Sequence, residues 1–331
     1  MISLNIKLDD NLKTSKVRQL VDAITAAISS HTLEEGEVLP SVNELSNALN
    51  IARDTVFKAY SELKKLGIVD STRAKGYYVA NSLNKIFLFL DSFSPYKDVL
   101  YNALIQKMDG HYTVDLGFHN YNEDIFETVI SHSLGKYNNY VVMNCNSTQL
   151  HEVLGNIQKD KLLLLDWGNF EDLPYSSVIQ NFGEQPYQCL LQVKGLLKKY
   201  DEFIYVANEG SQHPIETQEW FIKFCKEAKI KCRIETQIKE EDVQEGKAFF
   251  LVQHLDVVSL IKIAKKKNLD IGKHVGIICY NDSPMFEVIE NGITVISTDF
   301  AKMGELAAEF ILNKNPVQAT VPTSLILRGS L

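Results

Sequence analysis

Two short runs, Leu39-Pro40-Ser41-Val42-Asn43-Glu44-Leu45 and Arg53-Asp54-Thr55-Val56-Phe57-Lys58-Ala59-Tyr60, decide how the first part of this chain folds. Ser41 with Glu44 three residues on is a capping box, and Val42, Leu45 and Leu49 give the helix that follows its apolar face. After a turn over 50–52, a second helix is predicted at 54–66, burying Val56, Ala59, Tyr60, Leu63 and Leu66 while Arg53, Thr55 and Lys58 face out; Gly67 stops it. Upstream, Val17, Leu20, Val21, Ile24 and Ile28 recur at helical spacing, which predicts an amphipathic helix over 16–30. Downstream, Ile68-Val69-Asp70 and Gly76-Tyr77-Tyr78-Val79 flank a polar tip over 71–75 and read as a hairpin. Three helices and a hairpin in this order make a winged helix-turn-helix, whose third helix enters the major groove while the wing touches the neighbouring backbone.

Charge is distributed in a way that permits this. The chain of 331 residues carries a formal net charge of −8. Residues 1–80 are neutral, ten basic against ten acidic, and within 53–75 six basic residues face three acidic ones. A local basic stripe can contact phosphates even on an acidic protein. No apolar run reaches the roughly 20 residues of a membrane span, and the first ten residues lack the pattern of a secretory signal, so a cytoplasmic, membrane-free protein is expected. The five cysteines are scattered without a C-x-x-C pair, which points to reduced core residues and to neither a disulfide framework nor a zinc site.

Beyond a short polar linker at 81–85 the pattern changes. Apolar runs of strand length at 86–90, 114–118, 140–143, 162–165, 203–207, 249–252, 275–279 and 293–296 alternate with helical segments such as 96–108, 215–228, 257–267 and 302–312. That alternation predicts parallel sheets covered on both faces, in two α/β lobes, with ligands outside the carboxyl ends of the strands. Asp91, Asp166 with Trp167, His254 with Asp256, and Asn281 all follow strands, and Tyr96 adds an aromatic ring. Hydrogen-bonding groups beside aromatic platforms suit a sugar, whose hydroxyls must be paired on burial while its C–H faces pack on a ring.

The spaced anchors Leu39-Pro40-Ser41, Leu45, Arg53-Asp54-Thr55-Val56, Ala59-Tyr60, Leu63, Gly67-Ile68 and Lys75-Gly76-Tyr77-Tyr78-Val79 resemble the winged helix of the GntR family of regulators. The resemblance implies DNA contacts by Arg53, Thr55 and Gly76, with Lys58 and Lys75 on phosphates and Ser41 and Asn43 in the second helix. Asn43 stands where the family carries arginine, so it brings a donor without a charge.

A second resemblance covers 85–331. Leu165-Asp166-Trp167-Gly168, residues 178–182, Ile271 to Ile277, Tyr280-Asn281-Asp282, Met303-Gly304, Ala307-Ala308 and the ending Leu325 to Ser330 are similar to the sensor domain of LacI/GalR regulators, itself like periplasmic sugar-binding proteins. It implies effector contacts by Tyr96, Asp166, Trp167, Asp256 or His254, and Asn281. Glu216 stands where the family has a sugar-binding arginine, with His213 as the alternative occupant of that space, and Asn281 replaces the usual aspartate; a neutral polyol is therefore favoured over an anion.

The expected protein has a DNA-binding domain at 1–80 and a two-lobed, periplasmic-binding-protein-like effector domain at 86–331, lobe 1 covering 86–182 and 283–317 and lobe 2 covering 183–282 and 318–331. The expected function is a homodimeric regulator of sugar catabolism on a two-fold symmetric double-stranded operator, repression being the expected direction, controlled by a monosaccharide such as fucose or arabinose. No cofactor is expected. Two rivals are a GntR-headed regulator with a pyridoxal-phosphate enzyme-like domain, for which the tail is too short, and a sugar-transport binding protein. No G-x-S-x-G, H-E-x-x-H or Walker loop is present, and His119, His132 and His151 read as structural histidines.

Overall fold

The computed structural model describes residues 6, 8–9, 14–29, 32–80, 84–108, 112–145, 150–166 and 175–331. The chain divides into two compact units, the larger beginning at Ile86.

In the smaller unit, α1 (Lys16–Ser29), α2 (Val42–Leu49) and α3 (Arg53–Lys65) precede a hairpin of β1 (Val69–Thr72) and β2 (Gly76–Val79). The capping box forms as its spacing predicts: Glu44 N donates to Ser41 Oγ at 3.2 Å, and Ser41 N donates to Glu44 Oε2 at 2.8 Å. Asn50 ends α2 in the left-handed region at φ 51°, a conformation that asparagine tolerates better than most residues. The core joins Leu20, Val21 and Ile24 of α1 to Leu45 of α2 and to Val56, Tyr60 and Leu63 of α3. Tyr60 Oη reaches out of it to donate to Pro40 O at 2.7 Å, fixing the loop before α2 against α3.

The larger unit contains β3 (Asn84–Leu90), α4 (Pro95–Lys107), β4 (Tyr112–Phe118), α5 (Glu123–Ser133), β5 (Asn139–Met143), α6 (Leu150–Leu154), β6 (Leu162–Asp166) and β7 (Ser176–Gln180). There follow α7 (Glu184–Leu197), β8 (Glu202–Val206), α8 (Ile215–Ala228), β9 (Cys232–Glu235), β10 (Lys247–Leu251), α9 (His254–Lys266), β11 (Val275–Tyr280), β12 (Thr294–Thr298), α10 (Phe300–Asn313), β13 (Gln318–Val321) and β14 (Thr323–Ile326). Two six-stranded sheets result, ordered β13-β7-β6-β5-β3-β4 in lobe 1 and β14-β12-β11-β10-β8-β9 in lobe 2. The central strands β5, β6, β8 and β11 are buried along their whole length, as continuous apolar runs require. No helix among the described residues is long and apolar enough to cross a membrane.

The lobes first exchange chain between β7 and α7, where 182 was expected, but the later exchanges differ from the expected 283 and 317. β12 pairs in parallel with β11, Ile278 beside Thr294, so residues through Thr298 belong to lobe 2. β13 pairs with β7, Gln318 beside Ser177, and so lies in lobe 1. The chain therefore crosses after β7, at Asp299 and at Pro322. Helix α10 returns to lobe 1 and packs on α4 so closely that a Cβ on Gly304 would lie 2.3 Å from Leu100 O.

Candidate functional site

In the smaller unit, α3 starts at Arg53, one residue before the expected boundary, and Ala52 precedes it without a side-chain cap. Ala52 O accepts from Thr55 N at 3.0 Å, so the N–H groups of Arg53 and Asp54 are those the helix start offers to an outside acceptor such as phosphate. Arg53 and Lys58 are exposed and Thr55 half-buried. Lys58 Nζ lies 2.7 Å from Asp54 Oδ2, one turn back, and Lys64 crosses to Asp70 Oδ1 of the hairpin at 2.9 Å. Arg53, Arg73 and Lys75 have no acidic partner among the described residues. Lys75 Nζ rests 4.6 Å from the Tyr78 ring centroid, and Gly76 beside it holds φ 76°, where a Cβ would strain the wing. Asn43 is exposed on α2, and the hydroxyl of Ser41 accepts the α2 cap. Phe57, 53% exposed on α3, went unremarked in the sequence; its sign is an aromatic residue between Thr55 and Lys58 in the polar stripe.

In the larger unit, the strand-end residues separate into two groups. Asp91 is wholly committed: it pairs with the buried Lys97 ammonium, accepts from Ser92 N, and accepts from Tyr121 Oη at 2.6 Å. Burial pulls Lys97 down to about 8, against the pull of Asp166, which leaves it charged at neutral pH. Asp166 sits at φ 79°. Its carboxyl is pushed up by burial, against Lys97 and against the Gln180 amide that donates to it. Gln180 Oε1 in turn accepts from Tyr280 Oη at 3.2 Å and from Thr298 Oγ1 at 2.7 Å. One glutamine at the end of β7 therefore ties Asp166 of lobe 1 to β11 and β12 of lobe 2.

Tyr96, at the start of α4, packs at 4.6 Å on Phe300 with the rings tilted by 36°, and lies 5.8 Å, edge to face, from His254 of lobe 2. Burial pushes its hydroxyl up to about 12. His254 Nε2 lies 3.2 Å from Asn281 O, which fixes that nitrogen as the donor. Asn281 itself is held at φ 64° and is 6% exposed. Burial pushes the Asp256 carboxyl up, opposed by a hydrogen bond from Asn208. Ser94 Oγ, Asn208 Oδ1, Asp256 Oδ2, Asn281 Oδ1 and Ser283 Oγ are all buried with no hydrogen-bond partner among the described residues. A cavity of about 330 Å³ is lined by Tyr96, Ser283, Thr298, Phe300 and Ser324, so that of the five residues with these unpartnered atoms Ser283 alone borders it, and its volume is at the low end of the range for small-molecule sites. A hollow of about 580 Å³ opens at the other end of the lobe 1 strands, near Lys159, Tyr175 and Lys314, away from these groups.

His213 is structural: its ring packs between Phe182 and Tyr280 at 5.6 and 4.6 Å, and Nε2 meets Thr217 Oγ1 at 2.9 Å. Glu216 is exposed in the first turn of α8. No hydrogen bond or ring contact joins either to Tyr96, Asp256 or Asn281 among the described residues, although His213 packs on Tyr280, the neighbour of Asn281. Trp167 lies outside the described residues. Lys97, Gln180, Asn208 and Tyr121 were missed by the sequence reading.

His119, fully buried, accepts at Nδ1 from Tyr121 N at 3.2 Å, so charging it would break that bond. Burial lowers its pKa from 6.5 to about 4. The unfolded chain then binds a proton that the native state refuses between pH 6.5 and about 4. Stability is expected to fall by roughly 3 kcal/mol as pH drops through that window. Denaturant midpoints against pH check this, the expected result being a flatter curve for His119→Gln.

Comparison with known proteins accords with the two units. Residues 16–79 match the bacterial regulatory proteins of the gntR family, and residues 196–331 match a periplasmic binding protein-like domain. The HTH-type transcriptional repressor YtrA of Bacillus subtilis is 29% identical over 107 residues, 32% of this chain and 79% of YtrA. The uncharacterized HTH-type transcriptional regulator YhcF of the same organism is 32% identical over 75 residues, 22% of this chain and 62% of YhcF. Among solved structures, a LacI family transcriptional regulator from Lactobacillus casei with bound sucrose superposes with a TM-score of 0.63 at 13% identity, over 75% of this chain and 99% of that one. The trehalose repressor from Escherichia coli gives 0.62 at 12%, over 73% and 100%. The chain thus carries a segment matching the gntR-family regulators and one matching a periplasmic binding protein-like domain, and its larger unit shares the fold of these LacI-family structures.

Proposed function

We propose that this transcription regulator, with its GntR-family head and LacI-type sensor, represses sugar-catabolic genes and changes its grip on DNA when a monosaccharide enters the cleft between its lobes. In this reading Arg53, Thr55, Asn43 and Gly76 read or approach bases, and Ser41, Lys58 and Lys75 hold phosphates. Tyr96, Asp166, His254, Asp256 and Asn281, with Trp167, hold the effector. The observation that carries it is the set of buried, unpartnered polar atoms, which a polyol would satisfy, together with the adjoining rings of Tyr96 and Phe300.

Two copies would present two heads to a two-fold symmetric operator. Exposed Leu255, Val258, Met285 and Val288 on lobe 2 support pairing through the sensors, since apolar patches of this kind mark contact surfaces. A sugar that fits one lobe arrangement better than the other shifts the balance between them, and its coupling to DNA is reciprocal.

The test is a titration of operator DNA with and without arabinose, fucose and other monosaccharides, paired with thermal shift. A true effector at 100 times its Kd adds about 2.7 kcal/mol of stability and moves the operator isotherm. A sugar that stabilises the protein yet leaves DNA affinity unchanged would defeat the regulatory reading.

A further inference from the structure

Three acceptor oxygens at the rim of lobe 2, Asn208 Oδ1, Asp256 Oδ2 and Asn281 Oδ1, are buried without a hydrogen-bond partner. They follow three neighbouring parallel strands whose ends are in register, Val206 beside Leu251 and Leu251 beside Cys279. Adjacent strands lie about 4.8 Å apart, so groups just beyond those ends share one small patch. Side-chain contacts draw it tighter. The Asn208 side chain opposes the upward push of burial on the Asp256 carboxyl, which places the two groups side by side, each with one oxygen unpartnered. His254, on the first turn of α9 with Asp256, holds the Asn281 backbone at 3.2 Å.

These oxygens accept and cannot donate while Asp256 is ionised. The cations buried nearby are already committed, Lys97 to Asp91 and Arg328 in a two-point clasp on Asp282 at 2.9 and 2.7 Å. Glu216 stands exposed where the resemblance expects arginine. A buried carboxylate needs a charged or strongly donating partner. A hydroxyl donates once, whereas a primary ammonium donates three times from one atom.

We infer that the effector presents a protonated primary amine to Asn208, Asp256 and Asn281, which makes it an amino sugar in preference to a neutral monosaccharide. The inference rests on the cleft reading given above. Asp256 supplies the charge, and the two asparagine oxygens complete the three acceptors.

The experiment compares D-glucosamine, D-galactosamine and D-mannosamine with their neutral parents glucose, galactose and mannose, and with fucose and arabinose, on the full chain at pH 7 by calorimetry. At least one amino sugar is expected to bind tenfold or more tightly than its parent, as a charge-assisted contact implies. Asp256→Asn is expected to erase that preference, lowering the amino sugar's affinity by tenfold or more beyond any loss for the parent. Asn281→Ala provides a second variant should Asp256→Asn fail to fold, with a smaller loss of preference expected because one of the three acceptors is removed while the charge stays; an unchanged preference would overturn the three-acceptor site. Neutral sugars binding as tightly as their amino counterparts would overturn the amine and leave the sugar cleft standing. Binding of no sugar of either kind would overturn the cleft reading itself, and the amine inference with it.

Discussion

Arg53→Ala is expected to weaken operator binding about 10- to 100-fold at matched salt, the cost of one side-chain contact to a base edge. Arg53 is the first residue of α3, exposed, and has no acidic partner among the described residues, so its removal leaves the fold and its ion pairs untouched. The loss should fall on specific DNA and spare random DNA. Lys75→Ala in the wing should instead weaken both equally and flatten the salt dependence, because a phosphate contact carries no sequence information. Electrophoretic or anisotropy titrations at two salt concentrations separate the two patterns. An unchanged operator affinity in Arg53→Ala would mean that α3 does not read the DNA.

The second large effect lies in the sensor. Lys97→Met keeps the volume of the side chain and removes its charge, and it is expected to cost ~3–5 kcal/mol because it strands buried carboxylates. Lys97 is 2% exposed; its ammonium pairs with Asp91 and reaches Ser92 Oγ at 3.2 Å, and it stabilises the charge on Asp166. The double variant Lys97→Met with Asp91→Asn should recover the part of the loss that comes from Asp91, with Asp166 still stranded. Urea midpoints of the three variants form the cycle. A cost below about 1 kcal/mol for Lys97→Met alone, the range of an exposed pair, would show that this pair does not anchor lobe 1.

The smaller unit was readable in the sequence because local chemistry specifies it. Ser41 with Glu44, the apolar stripe through Val56, Tyr60 and Leu63, and Gly67 each act within a few residues. The start of α3 was read one residue late because Ala52 caps nothing and so leaves no mark. In the sensor, most strands buried on both faces announced themselves as apolar runs, an exception being β7, which is buried and begins with Ser176-Ser177. The edge strands β9, β13 and β14 did not, being half-exposed and mixed in composition. Nor can an apolar run say which sheet it joins, which is why β12 was given to the wrong lobe.

The candidate cleft was legible where aspartate or asparagine follows a strand, and illegible where the residue type misleads. A lysine on a helix reads as a solvated charge, so Lys97 was passed over. Gln180 and Asn208 carry no signal apart from their place in space. The left-handed conformations of Asp166 and Asn281, which aim these side chains, are set by tertiary contacts that no local pattern encodes.

The three crossings between lobes bear on how the molecule is made. Lobe 1 waits for its edge strand β13 until residue 321 has been synthesised, and lobe 2 waits for β14 until residue 326. The head, by contrast, is complete by residue 80 and is built from contacts near in sequence. At about 5–20 residues per second, translation leaves an interval on the order of 10–50 s in which a nascent chain holds a folded head and an unfinished sensor. A DNA reader would then emerge from the ribosome before the part that governs it, with unpaired sheet edges open to chaperones throughout that interval.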